Sequence, residues 1–171
     1  MSKDETLGEA LRRQGVTRRG FLKFCAATAS MMALPPSMVP VIAAALESAR
    51  RPSVIWLSFQ ECTGCTESLT RSHSPTVEGL IFDSISLDYH HTLQAASGSA
   101  AEAARETAME ENHGKYILVV DGSIPTDNPG YSTIAGISNR DMLEEAAKGA
   151  AAIVSVGTCA AFGGIPAAKP N

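Results

Sequence analysis

The sequence predicts an α/β domain built on a doubly wound parallel sheet, preceded by a cleavable export leader. Three observations carry this. Short runs rich in β-branched and aromatic residues recur at 53–59, 81–89, 116–120 and 151–156. Helix-length segments separate them, which is the pattern of crossover connections between parallel strands. A basic stretch followed by a short apolar run stands ahead of the first of them, in the order of a signal peptide.

In chain order, Arg18-Arg19-Gly20-Phe21-Leu22-Lys23 precedes an apolar stretch over residues 24–34 that ends at Pro35-Pro36. Such a stretch is shorter than the ~20 residues that a membrane span takes. The paired arginines followed by Phe-Leu-Lys resemble the twin-arginine export motif. Ala43-Ala44-Ala45 offers a cleavage point, so the leader is placed at 1–45 and the mature domain at 46–171.

The run at 53–59 (Ser-Val-Ile-Trp-Leu-Ser-Phe) is continuous and apolar, as expected for a strand buried on both faces. A helix is expected over 62–72 and a second short one over 75–80, followed by a strand over 81–89. The Ala-, Glu- and Arg-rich segment 95–112 favours helix, and Gly114 closes it. A buried strand over 116–120 stops at Asp121-Gly122. Residues 127–136, punctuated by Pro and Gly, read as loop. Asn139 is expected to cap a helix that ends at Gly149. The strand over 151–156 then leads straight into Gly157-Thr158-Cys159.

Charge is distributed unevenly. Residues 1–23 hold six basic and three acidic residues, Lys3 among the basic ones; from Leu46 onward there are eight basic and fifteen acidic. The later part therefore carries about −7 and has no basic stripe for a phosphate backbone, which argues against nucleic acid as a partner.

Four cysteines occur: Cys25 in the leader, and Cys62, Cys65 and Cys159 beyond it. The twin-arginine route exports folded proteins, so these thiols can be loaded with metal before meeting an oxidising compartment. Cys62 and Cys65 follow the first strand and Cys159 the last. Ligands of open α/β sheets gather beyond the carboxyl ends of the strands, so both loops can reach one edge of the sheet. An iron–sulfur cluster would use such thiolates, since a two-residue gap lets neighbouring cysteines reach different irons. Gly64 is expected to supply φ > 0 and a bare backbone there, with Gly157, Gly163 and Gly164 doing the same near Cys159. A thioredoxin-like Cys62–Cys65 redox pair is the first alternative. A zinc site is the second, but His73, His90, His91 and His113 lack paired ligand spacing and read as surface or helix-end residues. Glu61 and Glu67 read equally well as solvated carboxylates at a helix start.

Glu61-Cys62-Thr63-Gly64-Cys65-Thr66-Glu67-Ser68, preceded by Val54-Ile55-Trp56, resembles the opening of [NiFe]-hydrogenase small subunits. Two further blocks follow in the same order: Val119-Val120-Asp121-Gly122-Ser123-Ile124-Pro125, and Gly157-Thr158-Cys159-Ala160 with Gly163-Gly164.

The resemblance implies a flavodoxin-like domain in which Cys62, Cys65 and Cys159 bind the proximal [4Fe–4S] cluster. The fourth thiolate would come from beyond Asn171, as would the C-terminal domain with the family's remaining clusters, so 46–171 is expected to be an incomplete domain that holds no stable cluster alone. The nickel–iron centre belongs to a separate large subunit. Electrons would leave toward a cytochrome b or quinone-linked acceptor, and the protein itself would lie in the periplasm, associated with the membrane through its complex. Glu61 and Thr63 are expected to face the large subunit and to help position its active site or its proton exit. Gly64 and Gly164 stand where oxygen-tolerant members carry extra cysteines, which implies the ordinary, oxygen-sensitive type. A related [4Fe–4S] subunit of a quinone oxidoreductase is the alternative within the fold, although that family carries adjacent cysteines.

Overall fold

The structure, a computed structural model, describes residues 6–13 and 15–170; Lys3 and Asn171 lie outside the described residues. The chain divides into two compact units. One runs up to Arg51 and takes in Glu78–Ser84; the other comprises Pro52–Val77 and the chain from Ile85 onward.

The first unit is helical: α1 (Leu7–Arg13), α2 (Arg18–Met31) and α3 (Val39–Ser48). Thr17 caps α2, its Oγ1 accepting from the Gly20 amide at 3.2 Å. Phe21, Cys25 and Ala29 recur every four residues and form the buried face of α2. Phe21 and Cys25 pack with Ala43 of α3, flanked by Leu11, Val39, Ile42 and Leu46. Arg18 and Arg19 are exposed. Helix α1 lies directly on α3: the Leu7 amide donates to the Ala49 carbonyl at 2.7 Å, and Arg12 pairs with Glu47 at 3.6 Å. Gly8 makes that approach possible, because a Cβ there would stand 2.8 Å from the Glu47 carbonyl oxygen. Gly8→Val should force the two helices apart at a cost of about 1–3 kcal/mol. Limited proteolysis is then expected to cut within 39–50 sooner than in the parent chain; unchanged resistance would show that the contact does not hold α3.

The second unit is an α/β layer structure. Strands β1 (Ser53–Ser58), β2 (Ser86–His90), β3 (Tyr116–Asp121) and β6 (Ala150–Val156) form a sheet in the order β2-β1-β3-β6. Every pairing in it is parallel. All six residues of β1 are buried, as the continuous apolar run predicts. Ile55 and Leu57 face a core formed with Leu118, Val120, Tyr89, Ala108 of α6 (Ser99–Glu111), and Met142 and Ala146 of α7 (Asn139–Lys148). Val54, Trp56 and Val119 face the other way, where Leu69 of α4 (Gly64–Thr70) joins them. β6 lies at one edge of the sheet, and Ile153 and Val154 are half exposed. Helix α8 (Gly157–Phe162) follows it without an intervening residue.

Four expectations are corrected. The strand expected over 81–89 begins only at Ser86: a single turn, α5 (Val77–Gly79), runs into a π-helical turn at Leu80–Ser84. Local polar bonds hold that turn, with Ser84 Oγ donating to Gly79 O and Arg51 to Phe82 O. The cap of α7 is Ser138, whose Oγ accepts from the Asp141 amide, while Asn139 is buried and donates to Ser132 Oγ. Residues 127–136 are not loop throughout: β4 (Thr133–Ile134) and β5 (Ile137–Ser138) pair antiparallel. Ala135 and Gly136 both have positive φ between them, the geometry of a tight hairpin turn. Finally, α4 starts at Gly64 and α6 at Ser99, later than the residue preferences alone suggest, because Thr63 and Gly98 have positive φ and break the helical run.

Candidate functional site

The carboxyl end of the sheet carries the loops of interest. Beyond β1, the chain stays paired to the end of β3: Phe59 N donates to Asp121 O at 2.9 Å, and Gln60 and Ser123 exchange backbone bonds at 2.9 and 3.2 Å. Gly122 (φ +83) is needed here, since a Cβ would lie 2.8 Å from the Phe59 carbonyl carbon. This clamp aims Glu61-Cys62-Thr63-Gly64-Cys65 off the edge of the sheet.

Within that loop the left-handed residue is Thr63 (φ 64, ψ 2), not Gly64. For a β-branched residue this conformation costs about 1–2 kcal/mol, a strain characteristic of functional turns. Thr63 Oγ1 donates to Glu61 Oε1 at 3.3 Å, and its carbonyl accepts from the Glu67 amide. Gly64 contributes an absent side chain, because a Cβ would meet Cys62 Sγ at 3.1 Å. Glu67 pairs with Arg71 on the exposed side of α4.

Cys65 reaches across to the other strand end, its Sγ lying 3.7 Å from the Val156 carbonyl oxygen. A Cβ on Gly157 (φ +78) would stand only 2.4 Å from that sulfur. On the far side of α8, a Cβ on Gly164 (φ +60) would stand 2.5 Å from Cys159 Sγ. Three glycines thus leave bare backbone against three cysteine sulfurs. Cys62, Cys65 and Cys159 are all free thiols. The Cys65 thiol is pushed up by burial first, then by Asp121, Cys62, Cys159 and Glu61 around it. The structure therefore brings Glu61, Thr63, Cys62, Cys65 and Cys159 to one corner; Cys25, Arg18 and Arg19 belong to the helical unit.

Cys62, Cys65 and Cys159 form a donor set that an iron–sulfur cluster could use. Among the described residues no three His, Cys, Asp or Glu side chains converge as they would around a single metal. A cubane instead takes each thiolate on a different iron, and it needs room between them and a backbone that comes close without side chains.

Sequence reasoning missed three groups beneath this corner. Asp121 is fully buried, and both its carboxylate oxygens lack partners among the described residues. His90 is 1% exposed, not a surface residue, and stacks on Trp56 at 4.9 Å. His91 is half buried, with Nδ1 accepting from the Ser58 amide at 2.8 Å. The pair of histidines closing a β-rich run was the available signal, but strand ends and surface turns look alike in sequence.

His90 Nδ1 accepts from the Thr92 and Leu93 amides at 3.0 and 3.3 Å, so the ring is held neutral. Burial lowers its pKa to about 4, against a smaller upward pull from Asp121. Unfolding returns the ring to its ordinary 6.5, so the unfolded chain takes up the proton first as pH falls. The stability gained from the neutral ring is complete above about pH 6.5 and is lost between there and about pH 4, a difference of roughly 3 kcal/mol. Urea midpoints of the full chain should fall over that window, and fall less in His90→Gln. Parallel slopes for the two would remove His90 from the account.

What fold and site define is an α/β domain that gathers thiols from two strand ends against bare glycine backbone. The chain belongs to the family described as NADH ubiquinone oxidoreductase, 20 Kd subunit, which matches residues 62–171. It is 46% identical to the hydrogenase-2 small chain of Escherichia coli K12, over all of this chain and 45% of that protein. Identity to the periplasmic [NiFe] hydrogenase small subunit 1 of Nitratidesulfovibrio vulgaris is 48%, over 95% of this chain and 51% of that one. The uptake hydrogenase small subunit of Azotobacter vinelandii is 44% identical, over 100% and 48%. Among solved structures, the reduced, active Ni-Fe-Se hydrogenase of Desulfomicrobium baculatum superposes with a TM-score of 0.68 at 36% identity, over 71% of this chain and 47% of that chain. The chain thus spans about half the length of the relatives it matches.

Proposed function

We propose that this chain is the front part of the electron-transfer small subunit of an exported [NiFe] uptake hydrogenase. In this reading residues 46–171 belong to a flavodoxin-like domain, and Cys62, Cys65 and Cys159 supply three of the four thiolates of the proximal [4Fe–4S] cluster. The fourth comes from further along the subunit. The observation that carries it is the corner itself: cysteines from β1 and β6, each opposed by a glycine that a side chain would turn into a clash, in a chain 44–48% identical to hydrogenase small subunits.

When bound, the cluster supplies a one-electron carrier between the nickel–iron centre of the large subunit and a cytochrome b or quinone-linked acceptor. The protein's own part is positional. The β1–β3 clamp aims the Cys62–Cys65 turn, and hydrogen bonds and partial burial around the thiolates tune the potential. Glu61 and Thr63 face the large subunit in this reading and help position its active site or its proton exit. Burial, then Asp121, raises the Glu61 carboxyl, and the Thr63 hydroxyl opposes that rise. The Arg18-Arg19 leader sends the assembled protein through the twin-arginine route to the periplasm, where the complex associates with the membrane.

The test is spectroscopy on the full-length subunit, purified anaerobically with its large-subunit partner from the periplasmic fraction. The expected result is an iron–sulfur signal that reduces under H₂, lost from the periplasm when Arg18 and Arg19 are both replaced by lysine. A colourless, iron-free protein with a Cys62–Cys65 thiol couple would overturn the reading in favour of a thiol redox module.

A further inference from the structure

Cys65 and Cys159 are far apart in the chain, on loops that leave two different strands. Something must set the spacing between their sulfurs to within a bond length's tolerance if both are to serve one cluster. β1 and β6 are not hydrogen-bonded neighbours, since β3 lies between them. The sheet therefore fixes the two loops only indirectly.

The direct contact is at Gly157. Its backbone, at φ +78, lies so close to Cys65 Sγ that an added Cβ would approach to 2.4 Å. The Val156 carbonyl completes the seat at 3.7 Å. Gly157 is also the first residue of α8, and Cys159 sits two residues later in the same turn. One backbone segment thus both receives the Cys65 sulfur and carries the Cys159 sulfur. We propose that Gly157 is the positioning residue that sets the Cys65–Cys159 separation, using its bare Cα as a stop for the Cys65 sulfur. This rests on the cluster-binding reading above. A methyl group at Gly157 pushes Cys65 away while leaving Cys159 in place, so one iron loses its thiolate and the others keep theirs.

Two causes of harm from Gly157→Ala must be separated: the clash with sulfur, and the strain of a side chain at positive φ. Gly136 provides the comparison. Its φ is +80, and an added Cβ there meets nothing within 4 Å.

The experiment uses the full-length subunit assembled with its large-subunit partner, in five forms: unaltered, Gly157→Ala, Gly136→Ala, Cys65→Ala, and the Gly157→Ala/Cys65→Ala double variant. Low-temperature electron paramagnetic resonance and Mössbauer spectra report the cluster, and thermal unfolding reports stability. In Gly157→Ala the proximal four-iron signature is expected to give way to a three-iron one, with Gly136→Ala indistinguishable from the unaltered protein. The stability lost to Gly157→Ala should shrink when Cys65 is already alanine, because the sulfur that the methyl strikes is gone.

An intact four-iron signature in Gly157→Ala overturns the proposal, as does an equal loss in Gly136→Ala. Should Gly157→Ala not fold, recovery of a folded complex in the double variant supports the proposal, and failure of both overturns it. If the unaltered protein and Cys65→Ala contain the same iron, it is the cluster-binding reading that fails, which the other arms do not mimic.

Discussion

Cys65→Ser in the full-length subunit should remove the four-iron form of the proximal cluster, leaving at most a three-iron one, with a loss of at least about one iron per complex and of electron flow from H₂ to an artificial acceptor. Serine preserves the size of the side chain, but its hydroxyl stays protonated where a thiol yields a thiolate, the form that binds metal. The surroundings sharpen that difference. The Cys65 thiol is already held up by burial and by Asp121, Cys62, Cys159 and Glu61, an environment that penalises a further anion and the harder alkoxide most of all. Cys159→Ser should behave alike, since Gly164 backs its sulfur as Gly157 backs that of Cys65. Cys25→Ser should leave iron content untouched, because that thiol packs on Phe21 and Ala43 in the helical unit. Iron analysis and the cluster spectrum decide between them; retention of the full cluster in Cys65→Ser would remove Cys65 from the ligand set.

Glu102→Ala should destabilise the α/β unit by about 1–3 kcal/mol, the usual cost of taking one partner from a buried polar group that keeps another. Arg105 on α6 is 1% exposed, with Nε 3.2 Å from Glu102 and Nη1 3.2 Å from Glu145 of α7. Removing Glu102, which is itself largely shielded, leaves the guanidinium with the more exposed Glu145 as its remaining carboxylate partner. For a domain of this size that lowers the melting temperature by roughly 5 °C. Glu145 is more than half exposed, so Glu145→Ala should cost less than about 1 kcal/mol. Arg105→Met, which removes the charge and fills the space, should cost far less than Glu102→Ala. Equal losses for Glu102→Ala and Glu145→Ala in thermal melts would show that the charge is not effectively buried.

Much of this was legible in the chain itself. Val54, Ile55, Trp56 and Leu57 are apolar on both faces of an extended run, and only a strand covered on both sides buries them all; β1 is that strand. The Cys62–Cys65 spacing and the cysteine directly after the last run were visible too, because loop chemistry is written in consecutive residues. The ends of elements were less legible. Ile81 and Phe82 carry strand preference, yet side-chain bonds from Ser84 and Arg51 win over it locally. Ser138 takes the cap from Asn139 because the buried Ser132 claims the amide first.

By itself the sequence determined the class of fold, the four parallel strands along the chain, and which residue types stand at their carboxyl ends. These depend on hydrophobic periodicity and short-range spacing, which act over a few residues. Only the tertiary structure decided that Thr63 rather than Gly64 takes the left-handed turn, that His90 and Asp121 are buried beneath the site, and that Gly157 stands against the Cys65 sulfur. The burial of His90 and Asp121 and the seat of the Cys65 sulfur are contacts between segments remote in the chain, set by the pairing of β1 with β2 and β3 and of β3 with β6. A glycine's missing side chain has meaning only in terms of what lies opposite, and no stretch of sequence names its own neighbour across the fold.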